Sequence, residues 1–149
     1  MDTATTGPSA AAALEVSRII PAPRDRVFRA WTEAATVSRW FAPTADYTTI
    51  VHALDVRVGG RYRIEMHHKD GARHIAVGVY REIAAPERLA FTWKWESQDM
   101  PETVVSLQFL ERGAETEVLL THTGLPSAES RAKHQEGWFG CLDRLATNV

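Results

Sequence analysis

The sequence predicts an α+β fold in which a curved antiparallel sheet of about six or seven strands wraps around one long C-terminal helix. Residues 47–123 alternate between apolar and polar side chains with a period of two, as half-buried strands do. The chain then ends in a long amphipathic segment. Each predicted strand has one apolar face, and such a sheet buries that face by packing against another element.

The segment before residue 47 predicts one strand and two short helices. "LEVSRIIPAP" (14–23) alternates and is rich in β-branched residues, and its two prolines end the strand. Pro23 is placed to begin a helix, and Pro43 to end a second one. The apolar residues at helical spacing are Val27, Phe28 and Trp31 in the first helix, and Val37, Trp40 and Phe41 in the second.

Asp70-Gly71 predicts the turn of a first hairpin, because this dipeptide suits a two-residue type I′ loop. With these two residues as the loop, the predicted pairs are Met66 with Ile75, Ile64 with Val77, and Tyr62 with Val79. All six side chains are apolar and share one face. The opposite face is predicted to carry Arg61, Arg63, Glu65, His67, His74, Ala76 and Gly78.

Arg112-Gly113 predicts the turn of a second hairpin in the same way. The predicted pairs are Phe109 with Thr116, Leu107 with Val118, Val105 with Leu120, and Thr103 with His122. Between the hairpins, alternation in "FTWKWES" places Phe91, Trp93 and Trp95 on the inner face. These registers give every strand one apolar side.

The final helix is predicted to begin near Ser127, a suitable N-cap after Pro126. Its apolar face carries His134, Trp138, Cys141, Leu142, Leu145 and Val149. Gly137 and Gly140 flank this face, although two glycines inside a helix together cost about 2 kcal/mol relative to alanine. We interpret them as allowing the helix backbone to approach the concave sheet closely.

Length and composition predict one globular domain over residues 14–149, preceded by a flexible tail at 1–13. The 149 residues carry a net charge of -2, with no basic run, so neither nucleic acid nor a membrane is an expected partner. The first residues contain no Lys or Arg and no apolar run of the length that a signal peptide needs. The single cysteine, Cys141, favours a reducing compartment, and we expect a cytoplasmic protein.

Four segments resemble the AHSA1-like family (activator of Hsp90 ATPase homolog 1-like) of the START/Bet v 1-like SRPBCC superfamily. They are "RVFRAWTEAATVSRWFAP", "VGGRYRIEMHHKDG", "EIAAPERLAFTW" and "LTHTGLPSAESRAKHQEGWFGCLDRL". The resemblance covers residues 14–148 and implies the helix-grip fold. It also implies one of three roles, namely a carrier of hydrophobic ligands, a polyketide cyclase or hydrolase, or a co-chaperone. Co-chaperone members have a further N-terminal domain for which this chain has no room, which argues against Hsp90 stimulation. Hsp90 is therefore an alternative partner and not the favoured one.

Aromatic residues on the predicted inner faces favour a pocket between sheet and helix. Phe91, Trp93, Trp95, Tyr62, Trp138 and Phe109 form this set, and ligand pockets are mostly apolar with a few polar groups. The alternative is that they form ordinary core. The candidate ligand-binding residues are Tyr62, Ile64, Met66, Val77, Phe91, Trp93, Trp95, Val105, Leu107, Leu120, His122, His134, Trp138 and Leu142. We expect non-catalytic binding of a small hydrophobic or aromatic molecule, without a cofactor, by a monomer or homodimer.

Two histidines are candidates for chemistry in this pocket. His122 and His134 fall on inward faces, where they could orient a ligand or transfer a proton in a cyclase or hydrolase. The alternative is that each is a buried histidine satisfied by backbone or by Thr103. No partner acid is evident on the same face, so we do not expect a catalytic dyad.

A metal site and a reactive thiol are less favoured interpretations. The first hairpin's predicted register places His67 opposite His74 on the outer face, about 5 Å apart between Cβ atoms. His68 and Glu65 lie nearby, but zinc sites usually use three or four protein ligands, so we favour solvated strand residues. Cys141 lies on the buried helix face and is expected to act as a small hydrophobic residue.

Overall fold

The computed structural model describes residues 13–149, which form seven strands and three helices. The elements in chain order are β1 Leu14–Ile20, α1 Arg24–Thr32, α2 Ala34–Trp40, β2 Tyr47–Leu54, β3 Arg61–His68, β4 Arg73–Ala84, β5 Arg88–Trp95, β6 Thr103–Arg112, β7 Glu115–Thr123 and α3 Ala128–Asn148. The tail expected at 1–13 lies outside the described residues apart from Ala13.

All seven strands belong to one antiparallel sheet of order β1-β7-β6-β5-β4-β3-β2. Every pair from β2 to β7 joins neighbours in sequence, and β1 closes the order by pairing with β7. The sheet curls into a half-barrel around α3. This confirms the predicted α+β helix-grip architecture.

The two short helices form as their apolar spacing predicts, and they pack against each other and against the sheet. Val27, Phe28 and Trp31 of α1 are buried, and so are Val37 and Trp40 of α2. The Trp40 indole donates to the carbonyl oxygen of Ala30 at 2.9 Å, which fixes α2 against α1.

The long helix α3 begins where the sequence predicts. The Ser127 hydroxyl accepts a hydrogen bond from the backbone N–H of Ser130 at 3.0 Å, as an N-cap does. Trp138, Cys141, Leu142 and Leu145 are buried along one face. None of the helices within residues 13–149 has the length and apolar character that a membrane crossing requires.

The turn of the first hairpin differs from the prediction by one residue. His68 and Ala72 enclose a three-residue loop, and the His68 N–H donates to the Ala72 carbonyl oxygen at 2.8 Å. Gly71 has φ +100°, the left-handed residue that ends such a loop. Because one added loop residue changes the register by one, the strand that follows presents its other face.

The predicted pairs of this hairpin are therefore wrong. Tyr62 pairs with Gly78, Ile64 with Ala76, and Met66 with His74. Ile75, Val77 and Val79 were predicted to point inward, but they lie on the outer face. There they pair with the charged residues Glu65, Arg63 and Arg61, respectively. Gly78 and Ala76 lie inside instead; a Cβ at Gly78 would overlap the Tyr62 ring and the Thr92 carbonyl oxygen.

The second hairpin keeps its predicted faces but not its predicted pairs. Arg112 pairs with Glu115, so the loop is Gly113-Ala114 rather than Arg112-Gly113. Moving the loop by one residue changes the register by two, which leaves each side chain on its predicted face. The observed pairs are Phe109 with Val118, Leu107 with Leu120, and Val105 with His122.

The two glycines of α3 have different environments, and neither approaches the sheet as predicted. A Cβ at Gly140 would lie 3.0 Å from the carbonyl carbon and Cα of Pro43 and would overlap its oxygen. The close approach is therefore to the loop after α2. Gly137 has no heavy atom within 4 Å of a Cβ position, because it faces a cavity.

Candidate ligand-binding cavity

A cavity of about 600 Å³ lies between the N-terminal half of α3 and strands β3 to β5. Its lining residues come from the sheet, from α3 and from the loops after α2, after β5 and before α3. They are Phe41, Pro43, Tyr47, Met66, His74, Trp93, Trp95, Gln98, Pro126, Ser127, Glu129, Ser130, Lys133, His134, Gly137, Trp138 and Cys141. This volume is within the range of small-molecule pockets, roughly 300–1,000 Å³.

Aromatic rings form the deep wall of the cavity. The ring centroids of Trp93 and Trp138 are 4.8 Å apart, and that of Phe41 lies 5.9 Å from Trp138. Trp95 extends this wall along β5, with its ring 5.2 Å from Trp93. Strand alternation and the helical spacing of α3 therefore bring residues distant in sequence onto one apolar surface.

His122 lies fully buried behind this wall in a chain of hydrogen bonds. The Trp138 indole donates to His122 Nδ1 at 3.1 Å, and His122 Nε2 lies 2.8 Å from Thr103 Oγ1. The Thr103 hydroxyl donates to the Trp93 carbonyl oxygen at 2.7 Å, so it accepts from His122. His122 is therefore neutral with its proton on Nε2, and the expectation of a histidine satisfied by Thr103 is confirmed.

His134 is held in the opposite tautomer on α3. Its Nδ1 donates to the Ser130 carbonyl oxygen at 2.9 Å, because that oxygen can only accept. Its Nε2 accepts from the Trp93 indole N–H at 3.3 Å. The sequence-based alternative of a backbone-satisfied histidine is thus the arrangement observed.

Both histidines are poor proton acceptors in this arrangement. Burial and, to a smaller extent, the nearby His134 together lower the pKa of His122 to about 3. Burial also lowers the pKa of His134, against a smaller raising effect of its bond to Ser130. The free lone pair that a general base needs is occupied in each ring by an indole N–H.

The predicted binding residues divide into three groups. Met66, Trp93, Trp95, His134 and Trp138 line the cavity. Tyr62, Ile64 and Phe91 surround a void of about 20 Å³. Val105, Leu107, Leu120, His122 and Leu142 are fully or almost fully buried in the core.

Two further predictions of pocket-facing side chains are wrong. Val77 lies on the outer face, because the first hairpin has the longer loop. Phe109 packs edge-on against Phe28 of α1, with ring centroids 5.4 Å apart, and does not line the cavity.

Sequence reasoning missed several lining residues. Phe41, Pro43 and Tyr47 lie in or beside a loop, where periodicity gives no indication of direction. The first turns of α3 contribute Glu129, Ser130 and Lys133, which look like an ordinary solvated helix surface in sequence. His74 was missed because of the register, and a three-residue loop ending in Gly71 was the available alternative signal.

The structure removes the geometric basis of the considered metal site. His67 pairs with Arg73 rather than with His74, and the two histidines face opposite sides of the sheet. Glu65 is held by Arg73 Nε at 2.7 Å and by His52 Nε2 at 2.8 Å. No cluster of three or more potential metal-binding side chains occurs in residues 13–149.

Cys141 is buried at the cavity wall. Burial raises the pKa of its thiol to about 12, against a smaller lowering effect of Arg144. The thiol therefore stays protonated at neutral pH and acts as a small hydrophobic group, as the helical spacing indicates.

The family model for activator of Hsp90 ATPase homolog 1-like proteins matches residues 21–149. The chain belongs to the AHSA1-like family. Its fold is that of CV1439 from Chromobacterium violaceum, with a TM-score of 0.84 and 24% identity over 92% of this chain and 96% of that one. The AHSA1 (SPO3351) protein from Silicibacter pomeroyi is similar, with a TM-score of 0.81 and 23% identity over 91% and 96%.

A third similar structure is CalU16 from Micromonospora echinospora, with a TM-score of 0.68 and 24% identity over 91% of this chain and 74% of that one. No curated protein matches the sequence. At these identities the solved structures show the fold alone. The AHSA1-like, helix-grip assignment agrees with the resemblance carried by the four sequence segments.

Proposed function

We propose that this AHSA1-like protein binds a small hydrophobic or aromatic molecule in the cavity between α3 and the sheet. The supporting observation is the open volume of about 600 Å³ beneath α3, walled by Trp93, Trp138 and Phe41. Large aromatic residues usually fill a protein interior at close-packed density. Here the three side chains line an open volume, which favours apolar contact with a ligand.

A non-catalytic role is supported by the state of the two histidines. An acid/base mechanism needs a group that gains and loses a proton near neutral pH and reaches the substrate. His122 lies behind the aromatic wall, and both rings already accept an indole hydrogen bond. The arrangement favours a rigid, apolar wall over proton transfer, so we place a cyclase or hydrolase activity second.

Intrinsic tryptophan fluorescence tests the binding proposal directly. Trp93, Trp95 and Trp138 line the cavity, so a bound aromatic ligand should quench or shift the emission of three of the five tryptophans. A panel of flavonoids, polyketides and fatty acids provides the titrants. A saturable change with at least one class is the expected result.

A cavity-filling variant establishes where such a ligand binds. Gly137→Phe places a ring in the open volume, because a Cβ there meets nothing within 4 Å, and should abolish the fluorescence response. Ala132→Phe is the matched control, since Ala132 is exposed on the same helix and does not line the cavity. The proposal fails if no titrant changes the emission, or if Gly137→Phe binds as tightly as the wild type.

A further inference from the structure

The six histidines of the chain differ in what their rings contact, and one of them lines the cavity, is exposed and makes no side-chain hydrogen bond within residues 13–149. His122 and His134 are held in the neutral network behind and beside the aromatic wall. His52 bonds to Glu65 at 2.8 Å, and His68 Nδ1 lies 3.0 Å from Asp70 Oδ1. His67 is exposed on the outer face of the sheet.

His74 is the sixth histidine, and it lines the cavity from β4. Its ring lies between those of Tyr47 and Trp95, with centroid distances of 6.2 Å and 6.0 Å. Within residues 13–149, neither of its ring nitrogens has a hydrogen-bond partner. Both nitrogens are therefore available to a molecule in the cavity.

A second donor reaches the same cavity from the helix side. Lys133 of α3 lines the cavity, and its ammonium lies 4.0 Å from the carboxylate of Glu129. The side chains of Lys133 and Glu129 are 76% and 81% exposed, respectively. An exposed pair at this distance contributes little, so the ammonium remains available to a ligand. Histidine and lysine together favour an oxygen atom that accepts hydrogen bonds and carries negative charge.

We propose that His74 is the polar anchor of the cavity and that the ligand is an aromatic molecule carrying an anionic oxygen. The aromatic part lies against Trp93 and Trp138, and the anionic oxygen lies at the outer end, between His74 and Lys133. This inference rests on the proposed function and names the chemical class of its ligand. At the deep wall the indole N–H groups of Trp93 and Trp138 are not available to a ligand, because they already donate to the two neutral histidines.

Two fluorescent probes with the same aromatic skeleton test this inference. 8-Anilinonaphthalene-1-sulfonate carries an anionic group, and N-phenyl-1-naphthylamine lacks it. We expect both to bind the wild type, with the anionic probe the tighter. His74→Leu should weaken the anionic probe about tenfold, as loss of one hydrogen bond to a charged group does, and leave the neutral probe nearly unchanged.

The control variants separate failure of the anchor from failure of the binding proposal. His67→Leu makes the same change on the opposite face of the sheet and should alter neither probe. His74→Gln retains a donor and should keep part of the preference for the anionic probe. If both probes bind the wild type and not Gly137→Phe, yet His74→Leu affects them equally or not at all, the anchor is refuted and the cavity proposal stands. If Gly137→Phe binds both probes, both proposals fail. If neither probe binds the wild type, the anchor is refuted, and the cavity proposal fails with it when no titrant of the panel changes the tryptophan emission.

Discussion

Gly137→Ala and Gly140→Ala are expected to change stability in opposite directions, although both replace a glycine inside α3. Each substitution gains about 1 kcal/mol of helix propensity. At Gly137 nothing lies within 4 Å of the new methyl group, so this gain should appear in full. A gain of about 1 kcal/mol raises the melting temperature of a chain of this size by about 2–4 °C.

At Gly140 the new methyl group would overlap the Pro43 carbonyl and lie 3.0 Å from two of its carbons, where contact distances are about 3.5–4.0 Å. Both partners are backbone, so no rotamer change relieves the overlap, and the cost should reach the upper end of the overpacking range, about 3 kcal/mol. The net loss is then about 2 kcal/mol.

The methyl group at Gly140 would push α3 away from the loop after α2, and this movement should also weaken a second contact of α3, with the end of α2. Arg144 of α3 donates to the carbonyl oxygens of Trp40 at 3.3 Å and Arg39 at 3.2 Å, at the end of α2. These bonds hold the same two segments that the methyl group at Gly140 would push apart.

Urea unfolding followed by far-UV circular dichroism measures both variants, provided that their m-values match the wild type. Because the propensity gain is common to both, the difference between them, about 3 kcal/mol, isolates the steric overlap. Equal stabilities for the two variants, or a Gly140→Ala protein more stable than wild type, would refute the explanation of the close approach.

Three further predictions concern the buried polar groups and the helix cap. Thr103→Val should destabilise the fold by about 1–3 kcal/mol, because it leaves the His122 Nε2–H without an acceptor. Thr103→Ser keeps the hydroxyl and should not have this cost. Equal free energies of unfolding for the two variants in urea would contradict the prediction. Burial lowers the pKa of His122 from 6.5 to about 3, so the unfolded chain binds a proton in this range that the folded chain does not. The stabilising contribution of neutral His122 should therefore be fully present above pH 6.5, and the free energy of unfolding should fall by about 2 kcal/mol by pH 5. Urea unfolding at each pH measures this, and a free energy of unfolding that does not change with pH would contradict the lowered pKa. The pKa of Glu65 is lowered from 4.5 to about 2 by its bonds to Arg73 and, second, to His52, so Glu65 should add to this loss only at lower pH. Ser127→Ala should cost about 1 kcal/mol in the same assay by removing the N-cap of α3, and no loss would contradict the cap.

Patterning predicted the element order and the inner faces of β3, β5, β6 and β7, because large apolar residues alternate there with polar ones. The pattern misleads in β4, which is apolar on both faces. Ile75 and Val77 are the larger residues, yet they lie outside, while Ala76 lies inside. Small residues fit the inner face of β4 because the Tyr62 ring already occupies the space over Gly78. Which face holds the larger neighbours depends on tertiary packing, and the segment itself does not contain that information.

The candidate site was predicted where it depends on alternation and missed where it depends on turns. Trp93, Trp95 and Trp138 follow from the periods of their own elements. The position of His74 depends on whether Asp70-Gly71 forms a two-residue loop or ends a three-residue one, and the dipeptide suits both. A difference of one loop residue places this histidine on the solvated face or inside the cavity.

The deep end of the cavity is built from polar residues and still presents an apolar surface. Trp93 connects the two hydrogen-bond chains, since its indole donates to His134 and its carbonyl oxygen accepts from Thr103. The indole N–H groups of Trp93 and Trp138 and the Thr103 hydroxyl each meet an acceptor within the protein, so we expect a ligand to gain apolar contact rather than hydrogen bonds from these groups. Under the proposed function, a ligand with a polar group should therefore be oriented with that group outward, toward His74. Two neutral histidines are then compatible with a hydrophobic binding wall, because their hydrogen-bonding groups are occupied within the protein.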